Sequence, residues 1–251
     1  MILFCFARKT SNKILLTSAI ALIILLSFLS SSLQPQKPSN KKLENFLSEV
    51  RIIIKKNKEP TQTKTIELAP YTDIDINTTA NISIGKEEKY QTKVSGTKYD
   101  LKHLKMKVNN GVLIINNDTN YASKVQVQKL HIKLQTPNLK TLKQQGVGNI
   151  DIQGPFKLST VDTKNTGNMT IKGITSPNFQ LKSANTGNTD ISGINSNNCD
   201  ITIHGVGNVT VSGSCTSARL TSHSLGNLDA SNLKAQKLDI QKQGVGNIIR
   251  P

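Results

Sequence analysis

Tryptophan is absent and aromatic residues make up only 4% of the chain. Nucleic-acid bases are read by aromatic platforms or by a helix entering a groove; aromatics are sparse and no DNA-binding motif appears, so nucleic acid is not an expected partner. Acidic residues are also scarce: 16 Asp and Glu stand against 32 Lys and Arg, a formal net charge of +16. The excess lies toward the N-terminal side, at +7 over residues 1–63 (10 basic, 3 acidic), +6 over 64–150 (13 and 7) and +3 over 151–251 (9 and 6). Such a surface draws anionic lipid headgroups, acidic polysaccharide or nucleic acid by long-range, salt-sensitive attraction, which concerns encounter rather than a site. The partners expected are anionic polysaccharide or an envelope or surface protein, and the membrane through an uncleaved N-terminal segment. The three Cys and four His have no metal-ligand spacing, so no metal and no cofactor is expected.

Long apolar runs are missing except at one place. Arg8, Lys9 and Lys13 precede an uncharged run from Ile14 to Leu29, and Ser30, Ser31 and Ser32 follow it. A basic, then apolar, then small-residue order is that of a secretory signal. Extended to Leu33, the run is long enough for a single membrane span. Residues 1–33 therefore read either as a cleaved signal peptide or as an N-terminal apolar anchor helix. In both cases the rest of the chain lies outside the cytoplasm, in the periplasm or at the cell surface. Residues 34–63 read as a basic linker with an amphipathic helix, in which Leu43, Phe46, Leu47, Val50 and Ile54 share a face.

Of the cysteines, Cys199 and Cys215 belong to the exported part, where a disulfide is permitted. The repeat register described below does not stack them, and the reading adopted is two free, half-buried thiols.

From Thr65 the apolar period becomes two. Ile66/Leu68, Ile74/Ile76, Ile82/Ile84, Met106/Val108, Val125/Val127 and Ile132/Leu134 alternate with polar residues and predict half-buried strands, with no helix beyond residue 63. Asn109, Asn110 and Gly111 predict a tight hairpin joining 104–108 to 112–115.

The dominant pattern is a repeat. Gly148-Asn149, Gly167-Asn168, Gly187-Asn188, Gly207-Asn208, Gly226-Asn227 and Gly246-Asn247 recur at intervals of 19 or 20 residues. An apolar residue always stands six positions before the Gly: Leu142, Val161, Leu181, Ile201, Leu220 and Ile240. Each unit has two short strands and two turns and is too small to bury a core alone, so it must stack on its neighbours. The expected fold is all-β, a β-solenoid with regular coils over 146–251 and about 20 residues per coil, spaced at the inter-strand distance of about 4.8 Å. Gly suits the sharp corner, and each Asn passes hydrogen bonds along a file of its like. These twelve residues are structural turn and ladder positions rather than a site.

The run Thr65-Ile66-Glu67-Leu68, then Tyr71-Thr72-Asp73-Ile74-Asp75-Ile76, then Asn110 to Ile115, then Thr136-Pro137-Asn138-Leu139 and the Gly-Val-Gly-Asn turns from Gly146 onward resembles the bacterial head GIN domain family. The resemblance covers roughly residues 64–249. It implies an exported, right-handed β-helix whose family carries an autotransporter adhesin-head label, placing the domain at 64–251. Autotransport itself needs a C-terminal membrane barrel, and this chain stops at Arg250-Pro251.

β-Helices also host polysaccharide-cleaving enzymes, so the outward columns require inspection. Asp151, Thr170, Asp190, Thr210 and Asp229 occupy equivalent positions, which puts an Asp on every second coil, too far apart for a retaining carboxylate pair. His204 and His223 are equivalent positions one coil apart, and two ligands do not make a metal site. No nucleophile, base or metal constellation can be named, and no catalytic residue is assigned. The expectation is an exported, envelope-associated, adhesin-like binding domain without catalytic activity. Its alternatives are a scaffolding envelope module and a carbohydrate-active enzyme. The ligand-binding residues are unknown from sequence.

Overall fold

The computed structural model describes Ser48, residues 60–118 and residues 130–251. The chain divides into two compact units, 1–56 and 57–251. The apolar run at 14–29, the amphipathic stretch at 43–54 and Val125/Val127 lie outside the described residues, apart from Ser48, which is helical. Among the described residues no helix is long and apolar enough to cross a membrane.

Alternation of β-branched and short polar residues makes the described part of the second unit mostly strand. Every coil carries two strand segments, one on each of two faces. On the first face β2 (Asp73–Thr79), β8 (Thr141–Val147), β10 (Thr160–Thr166) and β12 (Asn178–Thr186) stack in parallel register. On the second face β3 (Asn81–Lys86), β9 (Ile150–Phe156) and β11 (Met169–Thr175) do the same. β13 (Thr189–Val206) and β14 (Val209–Leu225) run round a corner and contribute to both faces, so the expected second turn is strand in these coils. β15 (Leu228–Asp229), β16 (Leu233–Lys242) and β17 (Ile248–Ile249) complete the stack. Residue partners in the regular coils are 19 or 20 apart, for example Leu142, Val161 and Leu181, as a β-solenoid of about 20 residues per coil requires.

Stacking departs from chain order at the N-terminal end. β6 (Val112–Asn117) pairs with β2 on the side opposite β8, and β7 (His131–Thr136) pairs with β3 on the side opposite β9. The 73–86 coil is thus sandwiched between a later coil and the regular stack. Antiparallel strands close this end: β5 (Leu104–Asn109) on β6, β4 (Gln91–Gly96) on β7, and β1 (Gln62–Ile66) on β4. Covering strands of opposite direction stop the parallel ladder from growing further. The 104–117 hairpin forms where the sequence predicts it, with Asn110 at φ 49° and Gly111 at φ 76°.

One element contradicts the sequence reading. Residues Lys98–His103 form a short helix, α1, held by a capping box in which Thr97 accepts from the Asp100 amide and the Asp100 carboxylate accepts from the Thr97 amide. Six residues are too few to show a helical stripe, but the Thr97-x-x-Asp100 spacing was a visible signal.

The core is thin and columnar. Leu113, Ile74, Leu142, Val161, Leu181, Ile201, Leu220 and Ile240 form one inward file, and Ile84, Ile152, Ile171, Ile191 and Val211 another. Each such side chain contributes about 1.5–3 kcal/mol on burial, so the stack is stabilised coil by coil.

Cys199 and Cys215 are bridged by a disulfide, which corrects the reading of free thiols. Strand register does pair Cys199 with Ala218 and Cys215 with Ser196. A corner lies between Ser196 and Cys199, however, so residues three positions apart both point inward across it, and the Cα atoms come within 6.5 Å. A linear register hides proximity across a bend.

Candidate functional site

Three outward features are built by the coil repeat, and each follows from local sequence. The first is the Gly-Asn corner. Gly167 has φ +147°, and a Cβ there would collide with the Gly148 carbonyl of the preceding coil. The equivalent collision recurs at Gly148, Gly187, Gly207, Gly226 and Gly246. Coils approach this closely only where no side chain intervenes. Beside each Gly the asparagines lie in single file. The side-chain carbonyl of Asn149 accepts from the backbone N–H of Asn168 at 2.9 Å, and Asn168 to Asn188, Asn188 to Asn208, Asn208 to Asn227 and Asn227 to Asn247 repeat the bond at 2.9–3.0 Å. The linkage is side chain to backbone, not amide to amide. It also starts one coil earlier than the Gly-Asn pairs do, because Asn81, preceded by Ala80, accepts from Asn149 at 2.9 Å. The sequence signal for Asn81 was its place just before the Ile82/Ile84 alternation.

Behind this corner lies a buried polar file that the sequence reading missed. Gln144 donates to Asn165 at 2.9 Å, Asn165 donates its side-chain amide to the Gly148 carbonyl at 2.7 Å, and its backbone N–H donates to Asn185 at 3.1 Å. These bonds satisfy corner backbone that the glycines leave without side-chain cover. They face the interior and are structural.

The second feature is the outward column Asp151, Thr170, Asp190, Thr210 and Asp229, which the structure places in direct register on the second face. A threonine stands between successive carboxylates, so like charges are never on adjacent strands. Asp229 is held below the usual carboxylate range by hydrogen bonds from the Ser231 hydroxyl and amide.

The third is on the first face, where Asp75, Lys143, Asp162 and Lys182 alternate in sign down one column and Asp200, Arg219 and Asp239 down another. Nearby, His204 and His223 stack with ring centroids 4.5 Å apart and 2° between planes. Parallel rings direct their nitrogen lone pairs along parallel lines, which do not converge on one ion. Among the described residues no group of three or more His, Cys, Asp or Glu is placed to hold a metal.

The arrangement can therefore do one thing well. It presents regularly spaced hydroxyl, amide and charged groups on its outer faces. Among the described residues, the buried Tyr71 phenol has its pKa pushed up to about 12 by burial and then by Tyr90, with Thr136 beside the hydroxyl offsetting part of the rise.

Comparison with solved structures places the fold among known ones. A putative adhesin from Bacteroides fragilis NCTC 9343 matches with a TM-score of 0.55 at 23% identity, over 76% of this chain and 80% of that one. A putative cell adhesion protein from Clostridium sporogenes matches at TM-score 0.46 and 17% identity, over 76% of this chain and 98% of that one. A putative lipid binding protein from Parabacteroides distasonis matches at 0.41 and 17%, over 77% and 98%. Comparison with curated proteins finds no match. A model of the family described as "Putative auto-transporter adhesin, head GIN domain" matches residues 70–249, which spans every regular coil, and the chain belongs to that family.

Proposed function

We propose that this protein is an exported, cell-envelope-associated binding domain of the adhesin kind, without catalytic activity, whose ladder faces engage a polymeric surface ligand. The observation that carries the reading is the register of the outward columns. Hydroxyl, amide and charged groups repeat at the inter-strand spacing over rigid sheet, a geometry suited to many weak, simultaneous contacts with an extended partner. The family's adhesin label points the same way. The carboxylates on these columns are separated by threonine or matched by a basic residue, which suits a stable surface better than an acid–base pair. The basic net charge favours anionic polysaccharide or an acidic envelope protein as partner. Export follows from the basic-apolar-serine order of residues 1–33.

The test is to display the full chain on a host lacking it and measure retention on whole cells and on a glycan array. Binding above the empty host supports the reading. No binding to any surface, together with loss of viscosity of an acidic polymer incubated with the protein, overturns it in favour of an enzyme.

A further inference from the structure

Charge on the outward columns obeys one rule. Wherever a charged residue sits in the ladder, its neighbour on the next strand is oppositely charged or neutral, and among the described residues the rule is broken once: Lys93 on β4 and Lys133 on β7 are direct partners. Thr92, Val94, Ile132 and Leu134 are buried, so both lysines project from the outer face, and both are exposed. Like charges directly opposite destabilise a sheet. Among the described residues neither lysine has a carboxylate in ion-pair contact.

Their surroundings are those of a ligand groove. Ser83 lies in register beyond Lys133, and the neighbouring column carries Ser95, His131 and Asn81. Together they line a groove of about 400 Å³, with Asp151 at its far rim. That volume is within the range of small-ligand sites. Besides the two lysines, Asp151 and the His131 imidazole, the polar groups are the short hydroxyls and amides of Ser83, Ser95, Asn81 and Asn149, matched to sugar hydroxyls.

We propose that this groove is the anion subsite through which the domain binds an acidic polysaccharide, with the Lys93 and Lys133 ammonium groups straddling one carboxylate or sulfate. The inference rests on the binding function proposed above and names the ligand class and its place on the molecule. An anion bridging both lysines relieves a repulsion that the empty ladder carries, so occupancy both binds the polymer and stabilises this end of the solenoid.

The experiment is calorimetric titration of the full chain with oligogalacturonate at low and high salt, alongside Lys93→Glu, Lys93→Gln and, as a basic control farther along the same face, Lys172→Gln. The wild type is expected to bind with affinity that falls as salt rises. Lys93→Glu, which sets opposite charge against Lys133, should weaken binding by roughly tenfold or more while raising Tm. Lys93→Gln should do both to a smaller degree, and Lys172→Gln should change neither. Unchanged binding by a folded Lys93→Glu overturns the subsite. Failure of the wild type to bind oligogalacturonate overturns it too, as does equal affinity for an oligothymidylate or for phosphatidylglycerol vesicles, which would mean undirected attraction to polyanions. If the wild type still adheres to cells in those cases, only the subsite falls; if it adheres to nothing, the binding function falls with it.

Discussion

Two residue types set the corner, and they fail differently. Gly167→Ala introduces a Cβ against the Gly148 carbonyl at a φ of +147°, and the expected loss is about 2 kcal/mol or more in urea-induced unfolding. Gly85→Ala is the matched control, since nothing lies within 4 Å of its Cβ position. Asn168→Ala leaves the Asn188 amide without its acceptor, at a cost of about 1 kcal/mol because the corner is exposed to water. Tyr71 behaves in the opposite sense. Its hydroxyl is buried beside Thr136 without a well-formed hydrogen bond, so Tyr71→Phe should be neutral or stabilising by about 1 kcal/mol. The wild-type phenol has its folded pKa raised from 10.0 to about 12. The resulting stability is therefore complete below pH 10.0 and is lost as pH rises toward 12, and the Phe variant should lack that alkaline decline in a pH-dependent melting series.

Among elements, the outward columns show how charge and register cooperate. Thr210→Asp would place carboxylates on three consecutive strands with Asp190 and Asp229. The expected loss is about 0.5 kcal/mol or more at neutral pH, recovered in high salt as screening shortens the repulsion. A strand corner is equally informative. The disulfide ties β13 to β14 across a separation of 16 residues, and Cys199→Ser should cost about 3 kcal/mol by the loop-closure argument. The loss should vanish when wild type and variant are compared under reducing conditions. Half of this feature was readable from sequence, since export permits a bridge. The other half was not, because Ser196 to Cys199 turns a corner and period-two bookkeeping treats the chain as straight.

Across the whole molecule, each coil touches only its neighbours, so stability is a sum of local terms and the ends are weakest. The N-terminal end is closed by antiparallel β4, β5 and β1. At the C-terminal end Val245 and Ile249 are 73% and 48% exposed, and β17 has two residues. Hydrogen exchange should accordingly be slowest for amides in β9 to β13 and fastest in β16 and β17. Equal protection from end to end would mean that the solenoid opens only as a single unit.

Sequence by itself determined the repeat. A Gly that admits a close corner, an Asn that can accept from the next coil and an apolar residue six positions earlier each depend on local chemistry, and their period of 19 or 20 allows one way of burying the core. Fold class, coil length, the 104–117 hairpin and the Asp-Thr column were all legible for that reason. Tertiary structure alone decided what depends on the chain leaving its period. The displaced strands β6 and β7 and the meeting of Lys93 with Lys133 join segments whose separation in sequence follows no repeat, whereas the bridge at the 196–199 corner and the polar file behind the asparagines join neighbouring coils through inward side chains that the period-two pattern does not mark. Nothing local specifies the partners of the displaced strands; they are chosen by which strand edge is free when the stack closes.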